Sequence, residues 1–293
     1  MSELTRRIAF GVPAAIVAIA IVLAGGAALA AFLAVASAIA AWEFYRIARA
    51  AGHAPFADLG CALAGLLPLA VHAHYLGFVQ PRVAYLAVVF IFILSIAIWA
   101  RGTTGKPIGA VATTVMGIVY TGGLLSFAYA LRYHDYTAGG VHVGRIPIAA
   151  GGVLLGLPLL LTWATDIGAF AVGKMVGGRK LIPAVSPSKT VSGAVGGLVA
   201  SVVVTWAYAS SVLRPAAQLA MTWRGIVVFG IIISVAAQLG DIVESLLKRE
   251  AGVKDSSTLL PGHGGVLDRL DSLFFVLPTA HLIVGWFLLP APR

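Results

Sequence analysis

Apolar runs of about 20 residues recur along the chain, interrupted only by short stretches rich in Gly, Pro, Arg and Lys, and this feature limits the fold more than any other. A hydrocarbon core of about 30 Å is crossed by roughly 20 helical residues. Inside it every backbone N–H and C=O must find a partner within the protein, which leaves helices and closed barrels as spanning structures. Barrel strands would alternate apolar and polar residues in pieces of about 10, and these runs do not alternate. The expectation is an all-α, polytopic integral membrane protein with about nine transmembrane helices, at 8–23, 27–47, 57–76, 83–100, 108–133, 146–172, 191–212, 225–249 and 273–289. A hydrophobic fraction of 60% against 11% charged residues excludes a soluble globular domain.

The net charge of +9 does not indicate nucleic acid, because the cations lie in short loops and form no basic face. With nine spans, fourteen of the 20 Lys and Arg fall on the side of the N-terminus. By the positive-inside bias that side is cytoplasmic. The expected location is therefore the cell (inner) membrane, with the polar segments described below facing the cytoplasm. The single cysteine, Cys61, excludes an intramolecular disulfide and a cysteine-cluster metal site.

One membrane domain is expected over 1–293, in which 1–145 is mainly scaffold and 146–293 carries the chemistry. Gly25-Gly26 marks a bend between the first two helices. Ala28-Leu29-Ala30 has the small-residue pattern of a signal-peptidase site, but the apolar sequence continues to Trp42 and reads as a retained helix. Glu43, between Trp42 and Phe44, reads as a solvated acid at the interface. Residues 134–145 read as an exposed turn, and Gly193 and Gly197 as a small-xxx-small contact between helices.

Against this background, Ser245 to Asp271 is a polar island. The chain has only 11 acidic residues, yet Asp241, Glu244, Glu250, Asp255, Asp268 and Asp271 fall within or just before it, with Lys248, Arg249, Lys254, His263 and Arg269. Asp241, Glu244, Ser245 and Lys248 stand at i, i+3, i+4 and i+7, one face of a helix. A Glu244–Lys248 pair accounts for part of that face and leaves Asp241 unexplained. The carboxylates are hard oxygen donors suited to Mg²⁺, which takes one or two of them together with water and substrate phosphates.

Pro261 to Gly265, PGHGG, brings backbone close to a ligand. A second polar loop, 173–190, combines Lys174, Arg179, Lys180 and Lys189 with Ser186, Ser188 and Thr190, a composition suited to an anion-binding turn. Asp166 lies inside the apolar run that precedes it. Together these features describe Mg²⁺-dependent chemistry on a phosphorylated substrate at a membrane, and the residues alone take the reading no further.

The stretch Ser245 to Asp271 resembles the signature of the phosphatidate cytidylyltransferase (CDP-diacylglycerol synthase) family at every specified position. Gln238 to Ser245 is similar to that family's lead-in QxGDxxES, Asp166 to Phe170 to its DxGA-aromatic motif, Ser186 to Thr190 to its SPxKT motif, and Trp42-Glu43-Phe44 to an early aromatic-acid signature. One departure is Ser192, where the family usually has Glu.

The resemblance implies the reaction CTP plus phosphatidate to CDP-diacylglycerol plus pyrophosphate, with Mg²⁺ as cofactor and a homodimer as the assembly. It makes Asp241 and Asp268 the expected metal ligands, and adds Lys248, Arg249, Lys254 and Arg269 as catalytic cations. Asp166, Ser186, Ser188, Lys189, Thr190, Glu244, Ser245, Asp255, His263, Gly264, Gly265 and Asp271 are the expected substrate-binding residues. Two alternatives stay open: a cytidylyltransferase for another lipid phosphate, and a secondary transporter, which also carries ionisable residues on its helices.

Overall fold

Helix dominates the computed structural model, which describes residues 3–133, 137–138, 141–142, 148–260, 262 and 264–291. In chain order the helices are α1 (Glu3–Ala24), α2 (Gly26–Ala50), α3 (Ala57–Tyr75), α4 (Val83–Arg101), α5 (Pro107–Gly117), α6 (Leu124–Tyr133), α7 (Ile148–Val176), α8 (Val191–Tyr208), α9 (Arg214–Ala217), α10 (Trp223–Glu250), α11 (Leu267–Leu270) and α12 (Leu273–Phe287). A π-helical turn, Ile118–Gly123, joins α5 to α6, and another, Ala209–Leu213, joins α8 to α9. Eight of the resulting segments are long and apolar enough to cross a membrane, and α1 contributes a shorter apolar stretch, Ala15–Ala24. The all-α, polytopic expectation holds, with span limits within a few residues of those read from hydropathy.

Helix α4 shows why these helices need lipid. Val83, Leu86, Val88, Ile91, Ile98 and Trp99 are all more than half exposed, and only Ile93 and Ala97 are buried. A 19-residue helix is about 28 Å long, which matches the hydrocarbon thickness. Such a surface is costly in water and costs nothing in a bilayer.

The described chain divides into two compact units. The first comprises Met1–Ala15, Gly26–Ser126 and Leu247–Arg269; the second comprises Ile16–Gly25, Phe127–Leu246 and Leu270–Arg293. In the first, α2, α3 and α5 pack around Tyr45, whose ring fills the space beside Gly60 and Gly117 and whose hydroxyl donates to the Thr114 carbonyl at 2.7 Å. Arg101 closes the loop end of this unit by donating to the Ala54 carbonyl at 2.8 Å while lying over the Phe56 ring. Cys61 is half-buried in α3 and free.

The second unit is organised by α7 and α8, whose backbones touch. A Cβ on Gly168 would stand 2.8 Å from the Gly196 carbonyl, one on Gly193 2.7 Å from the Ala169 carbonyl, and one on Gly197 3.0 Å from the Thr165 carbonyl. The small-residue spacing of Gly193 and Gly197 therefore does mark a helix contact. Ser201 on α8 donates to the Gly230 carbonyl of α10 at 2.8 Å, and Gln238 on α10 reaches back to the Ala194 carbonyl at 3.3 Å.

Three short antiparallel ladders complete this unit: Thr137–Ala138 with Val141–His142, Lys180–Ile182 with Ser186–Thr190, and Leu219–Met221 with Leu288–Pro290. The first falls in the stretch read as an exposed turn. Residues 134–136, 139–140 and 143–145 of that stretch lie outside the described residues.

Candidate active site

Two polar centres emerge, one in each unit. That of the second unit is a cleft of about 390 Å³ between α7, α8, α10 and the hairpin 180–190, a size usual for small-molecule sites. Residues 173–190 were expected to form an anion-binding turn. Their latter part is instead a two-stranded hairpin, in which Ser186 pairs with Ile182 and Thr190 with Lys180. The ladder, whose register shifts between Lys180 and Ile182, turns the SPSKT segment into a strand, and Ser188, Lys189 and Thr190 line the cleft.

Thr190 is buried and caps α8, accepting from the Gly193 N–H at 3.1 Å. Ser192 contacts the Thr190 hydroxyl at 3.1 Å and donates to the Gly177 carbonyl, tying the hairpin's end to the loop after α7. The serine in place of the family's usual Glu thus has a structural task here, and the acids lining the cleft are Asp166 and Asp241.

The cleft's charges alternate. Lys189 Nζ lies 2.6 Å from Asp241 Oδ2, with both side chains partly open to solvent. Lys174 stands over the Phe170 ring at 5.8 Å, and Gln238 lines the wall. Ser245 Oγ lies 3.5 Å from Asp241 Oδ1. One turn further along α10, Glu244 is buried at 1% exposure. Asp271 accepts from the Ser272 N–H at 2.6 Å. Ser186 is half-buried in the strand, away from the cleft lining.

In the first unit the signature loop folds around Asp268. Its Oδ1 accepts from Lys248 Nζ at 2.7 Å and Ser256 N at 3.2 Å; its Oδ2 accepts from Ser256 N at 3.0 Å, Ser256 Oγ at 2.8 Å and Gly265 N at 2.8 Å. The Asp268 side chain is 5% exposed and that of Lys248 11%. Gly264 has φ +78°, the left-handed region in which a glycine is at ease, and Leu260 donates across the turn to its carbonyl at 2.8 Å. Arg249, Lys254, Asp255 and Arg269 are exposed, and Arg249 donates to the Val253 carbonyl at 3.0 Å. His263 and Pro261 lie outside the described residues.

The two expected metal ligands differ in what surrounds them. Asp241 opens on the cleft and can offer oxygen to a cation alongside phosphate and water, so its surroundings fit Mg²⁺. A carboxylate has about four lone-pair sites, and Asp268 already faces Lys248 Nζ, Ser256 N, Gly265 N and the Ser256 hydroxyl that it shares with Glu43. A cation there would have to displace the Lys248 ammonium. Among the described residues no group of three or more His, Cys, Asp and Glu is gathered to hold a metal by itself.

Sequence reading missed Glu43. Expected as a solvated interfacial acid, it is fully buried on α2 and accepts from Ser256 Oγ, Ser257 Oγ, Val266 N and Leu267 N. The available signal was position. Glu43 is the one acid between Glu3 and Asp58, and an ionisable group at the end of an apolar helix usually has a partner.

The phosphatidate cytidylyltransferase of Bacillus subtilis (strain 168) is 44% identical over 128 residues, 44% of this chain and 46% of that protein. Proteins of the same name from Staphylococcus saprophyticus and Staphylococcus aureus (strain COL) are 45% and 46% identical over 125 residues, 43% of this chain and 46% of each. These matches thus span about half the length of the curated relatives. The model of the cytidylyltransferase family matches residues 5–287, and the chain belongs to that family.

Proposed function

We propose that this protein transfers a cytidylyl group from CTP to phosphatidate, forming CDP-diacylglycerol and releasing pyrophosphate. The observation that carries the reading is the cleft of the second unit, where Lys189, Lys174, Ser188 and Thr190 face Asp166 and Asp241. Its supports are the family to which the chain belongs and the name borne by its relatives. A phosphate monoester has a second pKa of about 6, so the lipid phosphate is largely dianionic at neutral pH and needs no general base. One of its oxygens forms a bond to the α-phosphorus of CTP while the bond to the β-phosphate oxygen breaks, and pyrophosphate leaves with that electron pair.

In this reading the chain's residues position reactants and balance charge, which is most of what such a transfer requires. Lys189 turns from Asp241 toward the triphosphate, and the hydroxyls of Ser188 and Thr190 orient it. The exposed Arg249, Lys254 and Arg269 of the first unit offer positive charge to phosphate groups, and the lipid's acyl chains stay in the bilayer. Asp241, with Asp166 on the same cleft, would hold Mg²⁺, which would supply charge neutralisation at the phosphates. The polar centres face the cytoplasm, where CTP is found, and the assembly is a homodimer, measurable by mass in detergent.

The test is formation of CDP-diacylglycerol by purified protein from radiolabelled CTP and phosphatidate, with Mg²⁺ or with EDTA, beside Asp241→Ala. Product that depends on Mg²⁺ and on Asp241 is expected. A stable preparation that makes no product from phosphatidate, or one that prefers another lipid phosphate, would overturn the substrate assignment.

A further inference from the structure

The buried Glu43 carboxylate has no part in the transfer as described, yet four donor groups face it. Its Oε1 accepts from Ser257 Oγ at 2.5 Å and Val266 N at 3.1 Å; its Oε2 accepts from Leu267 N at 2.6 Å and Ser256 Oγ at 3.1 Å. Each oxygen thus lies against one hydroxyl and one backbone N–H, with the Ser256 proton shared with Asp268. The donors are more than 200 residues away in sequence. They precede Asp268 in the same loop, and Ser256 touches both acids: its single hydroxyl proton is shared between Asp268 Oδ2 at 2.8 Å and Glu43 Oε2 at 3.1 Å.

Gly265 is explained by the same contact. A Cβ there would stand 2.5 and 2.6 Å from the two Glu43 oxygens, so the loop seats on the carboxylate only with glycine at this position. Gly265 N in turn donates to Asp268 at 2.8 Å. The chain of contacts runs from α2 through Glu43 to residues 256–267, then to Asp268 and the ammonium of Lys248.

We propose that Glu43 is a positioning residue: a buried carboxylate on α2 that fixes the signature loop, and through it the orientation of Asp268 and Lys248, without touching substrate. This rests on the functional reading above only in taking the loop to serve the transfer. An ionised acid is suited to the task because two backbone N–H groups at the start of α11 need acceptors, and a charged acceptor binds them more strongly than a neutral one. Removal of the charge leaves buried donors without partners and loosens the loop.

The test compares Glu43→Gln, Glu43→Asp and Ser257→Ala with wild type as full-length protein in detergent, reading steady-state kinetics and hydrogen exchange of the 264–268 segment. An amide turns a donor toward donors, so Glu43→Gln is expected to lower kcat on the order of 100-fold, the usual effect of misplacing reacting groups by about 1 Å. KM for CTP stays near wild type and exchange of the Val266 and Leu267 amides rises. Glu43→Asp, which keeps both oxygens, recovers part of the protection, and Ser257→Ala gives a smaller shift in the same direction.

Wild-type exchange and kcat in Glu43→Gln would overturn the proposal, as would lost activity with unchanged exchange, since the residue would then act directly. Should Glu43→Gln fail to fold, Ser257→Ala decides: unchanged kcat and exchange refute. A wild-type protein inactive on phosphatidate would sink the functional reading, and the exchange comparison would still decide the role of Glu43.

Discussion

Substitution of Asp268 by Ala separates two roles that a loss of activity alone would merge. In the structure its carboxylate compensates the Lys248 ammonium and accepts from Ser256 and Gly265, with both charged side chains nearly excluded from solvent. Removing one partner of a buried ion pair costs about 3–5 kcal/mol, because the other charge stays buried without compensation. For a chain of this size that lowers the unfolding midpoint on the order of 10 °C.

The assay is thermal unfolding in detergent with EDTA present, followed by a thiol-reactive fluorophore on Cys61, the chain's one cysteine. The double variant Asp268→Leu with Lys248→Met removes the uncompensated charge and is expected to recover part of the lost stability, the Ser256 and Gly265 donors staying unpaired, while remaining inactive. If Asp268→Ala unfolds within about 2 °C of wild type in EDTA, or later than wild type, the reasoning is refuted. That result belongs to a carboxylate whose charge is uncompensated until a metal arrives.

Two further outcomes can be checked with the same preparation. Lys189→Met removes the cation paired with Asp241 at 2.6 Å in the cleft; a charge-assisted contact is worth about 1.5–3 kcal/mol, so KM for CTP should rise roughly 10- to 100-fold with the unfolding temperature little changed. Gly196→Val drives a branched side chain against the Gly168 carbonyl, 2.8 Å from where its Cβ would stand; overpacking of this kind costs about 1–3 kcal/mol, and a lower unfolding midpoint should show it.

Much of the fold was legible because membrane helices announce themselves by length and composition. The Gly25-Gly26 bend was read from glycine alone, and Gly25 indeed has φ +65° between α1 and α2. The hairpin at 180–190 was not legible: its first strand is three residues long, its second contains Pro187, and neither alternates. The π-turns were not read either, although each contains a pair of small residues, Gly122-Gly123 and Ser210-Ser211, of the kind that interrupts a helix.

In the site, the spacing of Asp241, Glu244, Ser245 and Lys248 placed them on one helix face. Helical spacing could not foresee that Lys248 would be taken by Asp268, a residue brought back by the loop 20 positions later. Glu43 was misjudged for the same reason in a stronger form. Local pattern describes an acid beside aromatic residues, whereas its role depends on donors supplied from the far end of the chain.

The seam between α7 and α8 bears on how such a cleft can change over time. With Gly168 and Gly193 held against opposing carbonyls at under 3 Å from any added Cβ, that wall has no room for a larger residue and no slack to shift. If the cleft takes the nucleotide as proposed, new preferences have to be written on the opposite side, where the hairpin carries exposed Ser188 and half-buried Lys189. Libraries randomised on the hairpin should yield folded variants with altered nucleotide choice, and libraries on the seam should yield mostly losses.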